Sequence, residues 1–294
     1  MHEDHDPVRR APSGACDVHF HVFGEPGRYP YRDPKLRYTP PVAPLSSYLQ
    51  TAARIGIERF VFVQPSAYMR DNDCMLDAMA TMDPAVCRAI VDVDENAPDA
   101  VFDDFHARGV RGVRINVSPV HPHEPGLAAR MMPRIDRMEQ RCKDRGWSLD
   151  FLLPGWLTEE MLPRMAKLEV DYTMAHLGMF LAKDGPDQPG FRRLLDLLST
   201  GSGRAHVKLT GFYRISRTPG YPDVPAMIRA LVRTRVDRLV WGSDDPHISF
   251  AAETGSISLY DLFCSAVDDD ADLRTILVDT PARLYGFAPT GASR

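Results

Sequence analysis

Short apolar stretches of strand length alternate along the chain with segments in which apolar residues recur every three or four positions. Segments of the second kind, such as Pro98–Arg108, Ala129–Arg145 and Phe191–Ser199, have the spacing of amphipathic helices. The alternation predicts βαβ units and a parallel sheet. Eight stretches predict strands: Ala15–His21, Arg59–Gln64, Arg88–Val93, Val110–Val117, Trp147–Leu153, Val170–His176, Ala205–Gly211 and Arg238–Ser243.

Eight such units in 294 residues predict a single-domain (β/α)₈ TIM barrel, an α/β fold that has this length. An open doubly wound sheet is the alternative, but the glycine fingerprint G-x-G-x-x-G of its nucleotide-binding members is absent. We expect residues 15–294 to form the barrel domain and residues 1–14 to form a disordered or extended tail.

Composition narrows the classes of partner. The net charge is −5 and basic residues form no long run, which argues against nucleic acid. No apolar stretch approaches the roughly 20 residues of a membrane span, and the first residues do not resemble a secretory signal. Five scattered cysteines are typical of reduced thiols. We therefore expect a cytoplasmic protein with a small-molecule substrate, and a homodimer is one option for its assembly.

Four polar residues stand at predicted strand ends, where the active site of a barrel lies. His19 and His21 in DVHFH are two apart, so both rings can face the barrel mouth. His176 follows the sixth strand in MAHLG, and Asp244 follows the eighth in WGSDDPH. One buried histidine is commonly structural, but four costly polar groups at one barrel end indicate a site. We predict that these four residues form the catalytic centre.

Other strand ends supply candidates for substrate binding. Two of them have structural alternatives, because Arg114 can belong to an ion pair of the scaffold and Lys208 can extend along the barrel wall. A second H-x-H, His121 and His123, stands among prolines in SPVHPHEPG, so it belongs to a loop that is either plain surface or contacts substrate. The candidates are Ser66, Arg114, Lys208, Arg214 and His247.

Several motifs together resemble the amidohydrolase superfamily: DVHFHVFG, RGVRINV, AHLG, VKLTGFYRIS, WGSDDPH and the closing PARLYGF. The chain is most similar to the branch of 2-pyrone-4,6-dicarboxylate lactonase and related lactone hydrolases of aromatic and sugar-acid breakdown. The resemblance implies a (β/α)₈ barrel, hydrolysis of lactone or amide-like bonds, and an aspartate after the last strand as general base.

The resemblance also implies roles for individual residues. His19 and His21 correspond to the H-x-H of the first strand, and His176 to the single late histidine. Asp244 corresponds to the catalytic aspartate. The positions that correspond to substrate-binding residues are Arg114 and Arg214, which would hold a carboxylate, the loop tyrosine Tyr38, and Ser66 and His247 in the lining.

The sequence departs from the pyrone lactonase at the positions that bind its dicarboxylate. Ser118–His123 and Met179 stand where that enzyme has arginines, and FLLPG replaces a tyrosine after the fifth strand. Asp245 stands where relatives have an aromatic residue, and the sequence gives it no role. Fewer cations and an added anion predict a less acidic or more apolar substrate.

The same four residues could instead bind a metal. Three histidines and an aspartate form a competent site for one zinc ion, with His19, His21, His176 and Asp244 as ligands. The end of the fourth strand offers Arg114, a cation that repels a second ion, and no bridging group. The lactonase branch, by resemblance, works without metal. The sequence therefore favours no cofactor, with one divalent metal such as zinc as the alternative.

Without metal, Asp244 must activate water as a carboxylate with a reference pKa of about 3.9. So weak a base requires an activated lactone with a stabilised leaving oxygen. We predict that Asp244 deprotonates the water, that the three histidines polarise the carbonyl, and that Lys208 assists the oxyanion or orients Asp244. The alternatives are a metal-dependent decarboxylase, an amide or imide hydrolase of the same superfamily, and a barrel that binds a ligand without turnover.

Overall fold

The computed structural model describes residues 5–36 and 38–288 of the chain. The start of the expected tail and the end of the expected domain, residues 1–4 and 289–294, lie outside the described residues. Eight strands each fall within or overlap a predicted stretch: β1 Cys16–Phe20, β2 Arg59–Val63, β3 Cys87–Val91, β4 Val110–Asn116, β5 Ser148–Leu152, β6 Tyr172–Met174, β7 Ala205–Leu209 and β8 Leu239–Trp241.

The strands form one parallel sheet in the order β1 to β8, so each strand pairs with its neighbour in sequence. The (β/α)₈ prediction is confirmed, and the three helix predictions fall on observed helices. The helices are α1 Leu45–Ile55, α2 Asp73–Met79, α3 Asp99–Ala107, α4 Leu127–Lys143, α5 Gly155–Met165, α6 Pro189–Thr200, α7 Phe212–Ile215, α8 Val224–Arg235, α9 Ser256–Cys264, α10 Asp270–Arg274 and α11 Thr280–Tyr285.

Contacts across the seam between β1 and β8 complete the ring. The amide of Asp244 donates to the carbonyl of His19 at 2.8 Å, and the amide of His21 donates to the carbonyl of Asp245 at 2.8 Å. The buried carboxylate of Asp17 accepts the amides of His19 at 2.8 Å and Ser243 at 3.1 Å. This seam therefore holds the histidine pair of β1 against the loop that carries Asp244.

Most strand residues are buried because the sheet packs on helices outside and on itself inside. The C-terminal segment covers the end of the barrel at which the strands begin, opposite their carboxyl ends. There Phe287 packs with residues of β1 to β3, and the carbonyl of Gly286 accepts from Arg88 at 2.8 Å. None of the helices in the described residues is long and apolar enough to cross a membrane.

Two segments without regular structure cover opposite parts of the barrel. Residues 5–14 run along α1 and α9, where the amide of Ala11 donates to the carbonyl of Ile55 at 2.9 Å. The long loop after β1 folds back through a two-residue antiparallel bridge between Phe23 and Ala43. This bridge holds the loop beside the carboxyl ends of the strands, where the predicted site lies.

Candidate active site

The H-x-H pair lies at the carboxyl end of β1 with both rings in the barrel mouth. His19 and His21 are buried, and their ring centroids are 5.1 Å apart. The ring of His176, which follows β6, lies 5.3 Å from the ring of His19. The backbone at His176 has a φ of 52°, a left-handed conformation that costs free energy for a residue other than glycine. Such strain commonly occurs where a site fixes a side chain.

Asp244 lies among the three histidines. Its Oδ1 is 3.5 Å from Nε2 of His19 and 3.4 Å from Nε2 of His21. Nε2 of His176 is 3.8 Å from Oδ2 of the same carboxylate. Asp244 also has a left-handed backbone, with a φ of 59°. The structure thus brings together the four residues that the sequence predicts as the catalytic centre.

The other side of this carboxylate is held by neighbours from α7. The hydroxyl of Tyr213 donates to Asp244 Oδ2 at 2.5 Å, and Nε of Arg214 donates to the same oxygen at 3.0 Å. Tyr213 did not figure among the sequence candidates, because only the turn of α7 after β7 directs it to Asp244. Oδ1 has no hydrogen-bond partner among the described residues, so it is the oxygen available for chemistry.

The electrostatics fix the charge state of the cluster. Burial raises the pKa of Asp244, but Arg214 and then His176 outweigh burial, and the pKa lies well below its usual range. Burial lowers the pKa of His21 and lowers that of His176 to about 3. The pKa of His19 falls well below normal through burial and through Lys208. At neutral pH the site therefore holds one carboxylate among three uncharged imidazoles.

A buried ion pair lies directly below the histidines. Lys208 of β7 pairs with Asp150 of β5, and Thr173 donates to that carboxylate at 2.8 Å. Burial raises the pKa of Asp150, but Lys208 and Arg114 more than offset burial, so the net shift is downward. Sequence reasoning missed Asp150, although a lone carboxylate inside the apolar stretch WSLDFLL was a usable signal. Lys208 also lies 3.3 Å from Nδ1 of His19.

Arg114 of β4 is a buried cation in the wall of the same cavity. One of its terminal nitrogens donates to the carbonyl of Gln64, and its Nε has no hydrogen-bond partner among the described residues. Oδ1 of the neighbouring Asn116 also lacks a partner within the described part of the chain. A buried guanidinium with free donors favours an anionic ligand.

The model of the amidohydrolase family matches residues 16–287 of the chain. The chain belongs to this family. A 4-sulfomuconolactone hydrolase of Hydrogenophaga intermedia is 33% identical, with 96% of this chain and 91% of that protein covered. A 2-pyrone-4,6-dicarboxylate hydrolase of Comamonas testosteroni is 27% identical, with coverage of 95% and 92%. The relationship inferred from the motifs is therefore confirmed.

Structural comparison shows that the fold is shared with a solved protein. The crystal structure of an Agrobacterium tumefaciens protein without ligand superposes with a TM-score of 0.83 at 26% identity. The match covers 97% of this chain and 100% of that chain. The barrel of this amidohydrolase is thus shared with that protein over almost the whole length.

The remaining candidates for substrate binding lie in two places at the mouth of the barrel. The hydroxyl of Tyr38, on the long loop, is 3.3 Å from Oγ of Ser66. The ring of His247 lies 5.7 Å from that of Tyr213, so it borders the residues that hold Asp244. The carboxylate of Asp245 accepts from the hydroxyl of Ser256 at 3.1 Å.

The second H-x-H lies on the rim and not in the cluster. Nε2 of His121 is 3.4 Å from Glu124, and Nε2 of His123 is 3.3 Å from Glu160. The ring of His123 packs edge-on against Trp156 at 4.8 Å, and the indole of Trp156 donates to the carbonyl of His121 at 3.0 Å. These contacts hold the loop after β4 against the start of α5.

The distances between the possible ligand atoms would suit a metal ion, whereas the hydrogen bonds at the second ring nitrogens suit one at His21 and not at His19. Donor atoms of His19, His176 and Asp244 all lie within 4.8 Å of one another, which would suit one divalent ion. His21 is oriented as a ligand would be, since its Nδ1 bonds the carbonyl of Val63 at 2.8 Å. Nδ1 of His19 faces the ammonium of Lys208, so the hydrogen bonds at His19 do not fit a metal ligand.

Proposed function

We propose that this amidohydrolase opens an activated lactone with water that Asp244 deprotonates. One observation carries the proposal: a single buried carboxylate has one oxygen fixed by Tyr213 and Arg214, while its other oxygen faces the histidine pair. This is the arrangement of a general base with a defined direction of attack. The names of the relatives support it, because the two hydrolases compared above act on cyclic esters.

The reaction uses the chain's own side chains. Asp244 Oδ1 takes a proton from water as the oxygen attacks the lactone carbonyl, and an N–H donor of the histidine cluster stabilises the negative oxygen that forms. Collapse of this intermediate breaks the ring C–O bond, and the proton returns from Asp244 to the leaving oxygen. Because the pKa of Asp244 is depressed, the carboxylate is a weak base, so the leaving oxygen must be stabilised, as in an enol lactone.

Arg114 selects a substrate with an anionic group. Its guanidinium is buried and keeps donors free, so a carboxylate or sulfonate of the ligand can bind there with charge-assisted hydrogen bonds. Arg214 has its Nε on Asp244, which leaves its terminal nitrogens for a second polar group. Tyr38, Ser66 and His247 border the ring. Breakdown of aromatic or sugar-acid compounds would supply such lactones.

We propose that hydrolysis does not require a metal ion. Lys208, Arg114 and Arg214 already place three positive charges around two carboxylates, and an added divalent cation would be repelled. The rival function is a metal-dependent decarboxylase of the same superfamily, which the spacing of His19, His176 and Asp244 favours. The rival predicts that activity depends on bound zinc or manganese.

Assay of a panel of enol lactones with one carboxylate or sulfonate, with and without EDTA, tests the proposal. We expect ring opening that EDTA leaves unchanged. Asp244→Asn should lower kcat by at least about a hundredfold, the usual contribution of a general base. Asp144→Asn is the matched control, because this exposed carboxylate at the end of α4 accepts from Gln140 at 2.8 Å, and its kcat should stay within about threefold. Turnover by Asp244→Asn at the wild-type rate, or activity only with added metal, would refute the proposal.

A further inference from the structure

Lys208 directs each of its three protons to a different acceptor. The ammonium contacts the carboxylate of Asp150, the carbonyl of Val18 at 3.2 Å, and Nδ1 of His19 at 3.3 Å. A carboxylate and a carbonyl can only accept, and an ammonium can only donate. The third contact therefore requires Nδ1 of His19 to be the acceptor.

This contact determines where the proton of His19 lies. An imidazole whose Nδ1 accepts a hydrogen bond has no proton on that atom, so the ring is neutral and carries one proton. With Nδ1 as acceptor, the proton is on Nε2. Nε2 is the atom that faces Asp244 Oδ1 at 3.5 Å. His19 thus presents a donor to the cavity.

His21 has the opposite arrangement. Its Nδ1 lies 2.8 Å from the carbonyl of Val63, which can only accept, so Nδ1 carries the proton. The neutral ring with its proton on Nδ1 has Nε2 as an acceptor. That acceptor lies 3.4 Å from Asp244 Oδ1, which is itself an acceptor.

We propose that Lys208 is a positioning residue that fixes the proton of His19 on Nε2, so that His19 and His21 perform opposite tasks. Nε2–H of His19 donates to the carbonyl oxygen of the substrate. Nε2 of His21 and Oδ1 of Asp244 form a pair of acceptors that can hold one water by both of its protons. The assignment of tasks rests on the proposed lactone hydrolysis, whereas the positions of the protons do not.

The same proton opposes metal binding by His19. A protonated Nε2 has no lone pair for an ion. The other tautomer, with the proton on Nδ1, would place that proton against the ammonium of Lys208. Removal of Lys208 should therefore make the site a better zinc site. Thr173 offers a matched control, because it donates to Asp150 at 2.8 Å and does not contact His19.

Nuclear magnetic resonance of the wild-type protein with ¹⁵N-labelled histidine tests the positions of the protons directly. His19→Gln and His21→Gln identify the two sets of ring signals. We expect His19 to carry its proton on Nε2 and His21 on Nδ1 in the protein without ligand. A proton on Nδ1 of His19, or the same tautomer in both rings, overturns the inference.

Two variants test the role of Lys208. In Lys208→Met, and in Lys208→Met with Asp150→Asn, which leaves no unpaired buried charge, the proton of His19 should no longer be confined to Nε2. Zinc affinity, measured by competition with a chromogenic chelator, should rise about tenfold or more. This is the usual size of the effect when a residue that hydrogen-bonds a metal ligand is replaced. Thr173→Val should keep the wild-type tautomers and zinc affinity.

If the double variant folds and keeps both tautomers and the wild-type zinc affinity, Lys208 does not position the proton and the inference fails. Its failure is distinguishable from that of the proposed function, because these measurements need no substrate. A wild-type protein with the expected tautomers that opens no lactone refutes the function alone. A protein that opens lactones but carries the His19 proton on Nδ1 refutes the inference alone.

Discussion

The hydroxyl of Tyr213 donates to Oδ2 of Asp244 at 2.5 Å, on the side of the carboxylate opposite the histidine pair. Arg214 donates to the same oxygen at 3.0 Å. These two bonds engage one oxygen of Asp244 and fix the direction in which the other points. Residues of α7 thus orient Asp244, and its other oxygen faces the histidine pair at the end of β1.

Tyr213→Phe should therefore lower kcat by about 10- to 100-fold with little change in KM. The ring of phenylalanine can keep its packing on Phe250, but a hydrogen bond to a charged acceptor, worth about 1.5–3 kcal/mol, is lost. Steady-state kinetics on the best lactone measures the effect. Tyr260→Phe, in the wall beside Trp241, is the control and should behave as the wild type. An unchanged kcat for Tyr213→Phe would show that Arg214 suffices to orient the base.

Arg114→Met should raise KM for an anionic lactone by about 10- to 100-fold and leave a neutral lactone almost unaffected. The expected loss corresponds to charge-assisted hydrogen bonds of about 1.5–3 kcal/mol, and methionine fills much of the volume. Arg217→Met is the control, because within the described part of the chain this exposed arginine contacts the backbone carbonyls of Arg214 and Ser216, both at 3.5 Å. Equal effects on the two lactones would mean that Arg114 supports the fold and does not read the charge of the substrate.

Gly211→Ala should lower kcat/KM by tenfold or more without unfolding the barrel. A Cβ at this position would lie 2.3 Å from Nδ1 of His176, so the ring must move. The backbone of Gly211 also has a positive φ of 60°, which disfavours alanine in itself. Gly220→Ala separates the two effects, because Gly220 has a φ of 72° and nothing within 4 Å of a Cβ.

We expect Gly220→Ala to lose a similar amount of stability and to keep wild-type kinetics. Urea unfolding and steady-state kinetics of both variants provide the comparison. If Gly211→Ala turns over substrate as fast as Gly220→Ala, the position of His176 does not limit the reaction.

Asp17 should make stability depend on pH between about 4 and 6. Burial raises its pKa to about 6 in the fold, against the hydrogen bonds from Ser243, Tyr48 and the amide of His19, compared with an ordinary value of 3.8. Because the folded state binds this proton more tightly, the associated stability is present below pH 3.8 and is lost as the pH rises to about 6. At about 1.4 kcal/mol per pH unit, the loss is about 3 kcal/mol.

The comparison of wild type with Asp17→Asn isolates this contribution. Urea unfolding of both proteins at pH 4, 5, 6 and 7 gives the difference in their free energies of unfolding. We expect the difference to change by about 2 kcal/mol in favour of the variant between pH 4 and pH 6, out of the total of about 3 kcal/mol, and to be nearly constant above pH 7. A difference that stays constant from pH 4 to pH 6 would mean that Asp17 titrates as it does in the unfolded chain.

Much of the fold could be predicted from the sequence because strand and helix periods depend on local spacing. The stretches DVHFH, RGVRINV and WGSDDPH each overlap an observed strand. The four-residue cluster could also be predicted, because in a barrel every residue after a strand lies at one end. Strand boundaries were less accurate, and β6 is limited to Tyr172–Met174 within a longer predicted stretch.

Residues that act by touching another side chain could not be predicted in the same way. Asp150 and Lys208 are 58 positions apart in the chain but form one ion pair inside the barrel. No sequence pattern indicated Tyr213, because a single tyrosine after a strand can have many ordinary structural roles. Arg214 was predicted as a substrate contact, and the structure shows that its Nε also holds Asp244.

The sequence by itself determined the barrel, the end of the barrel at which the candidate site lies, and the grouping there of His19, His21, His176 and Asp244. These follow from alternation and from strand order, which are properties of the chain's local pattern. Only the tertiary structure decided which oxygen of Asp244 is free and which nitrogen of each histidine faces it. Those features depend on distances between atoms of different strands, such as Lys208 and His19, and closure of the ring sets those distances.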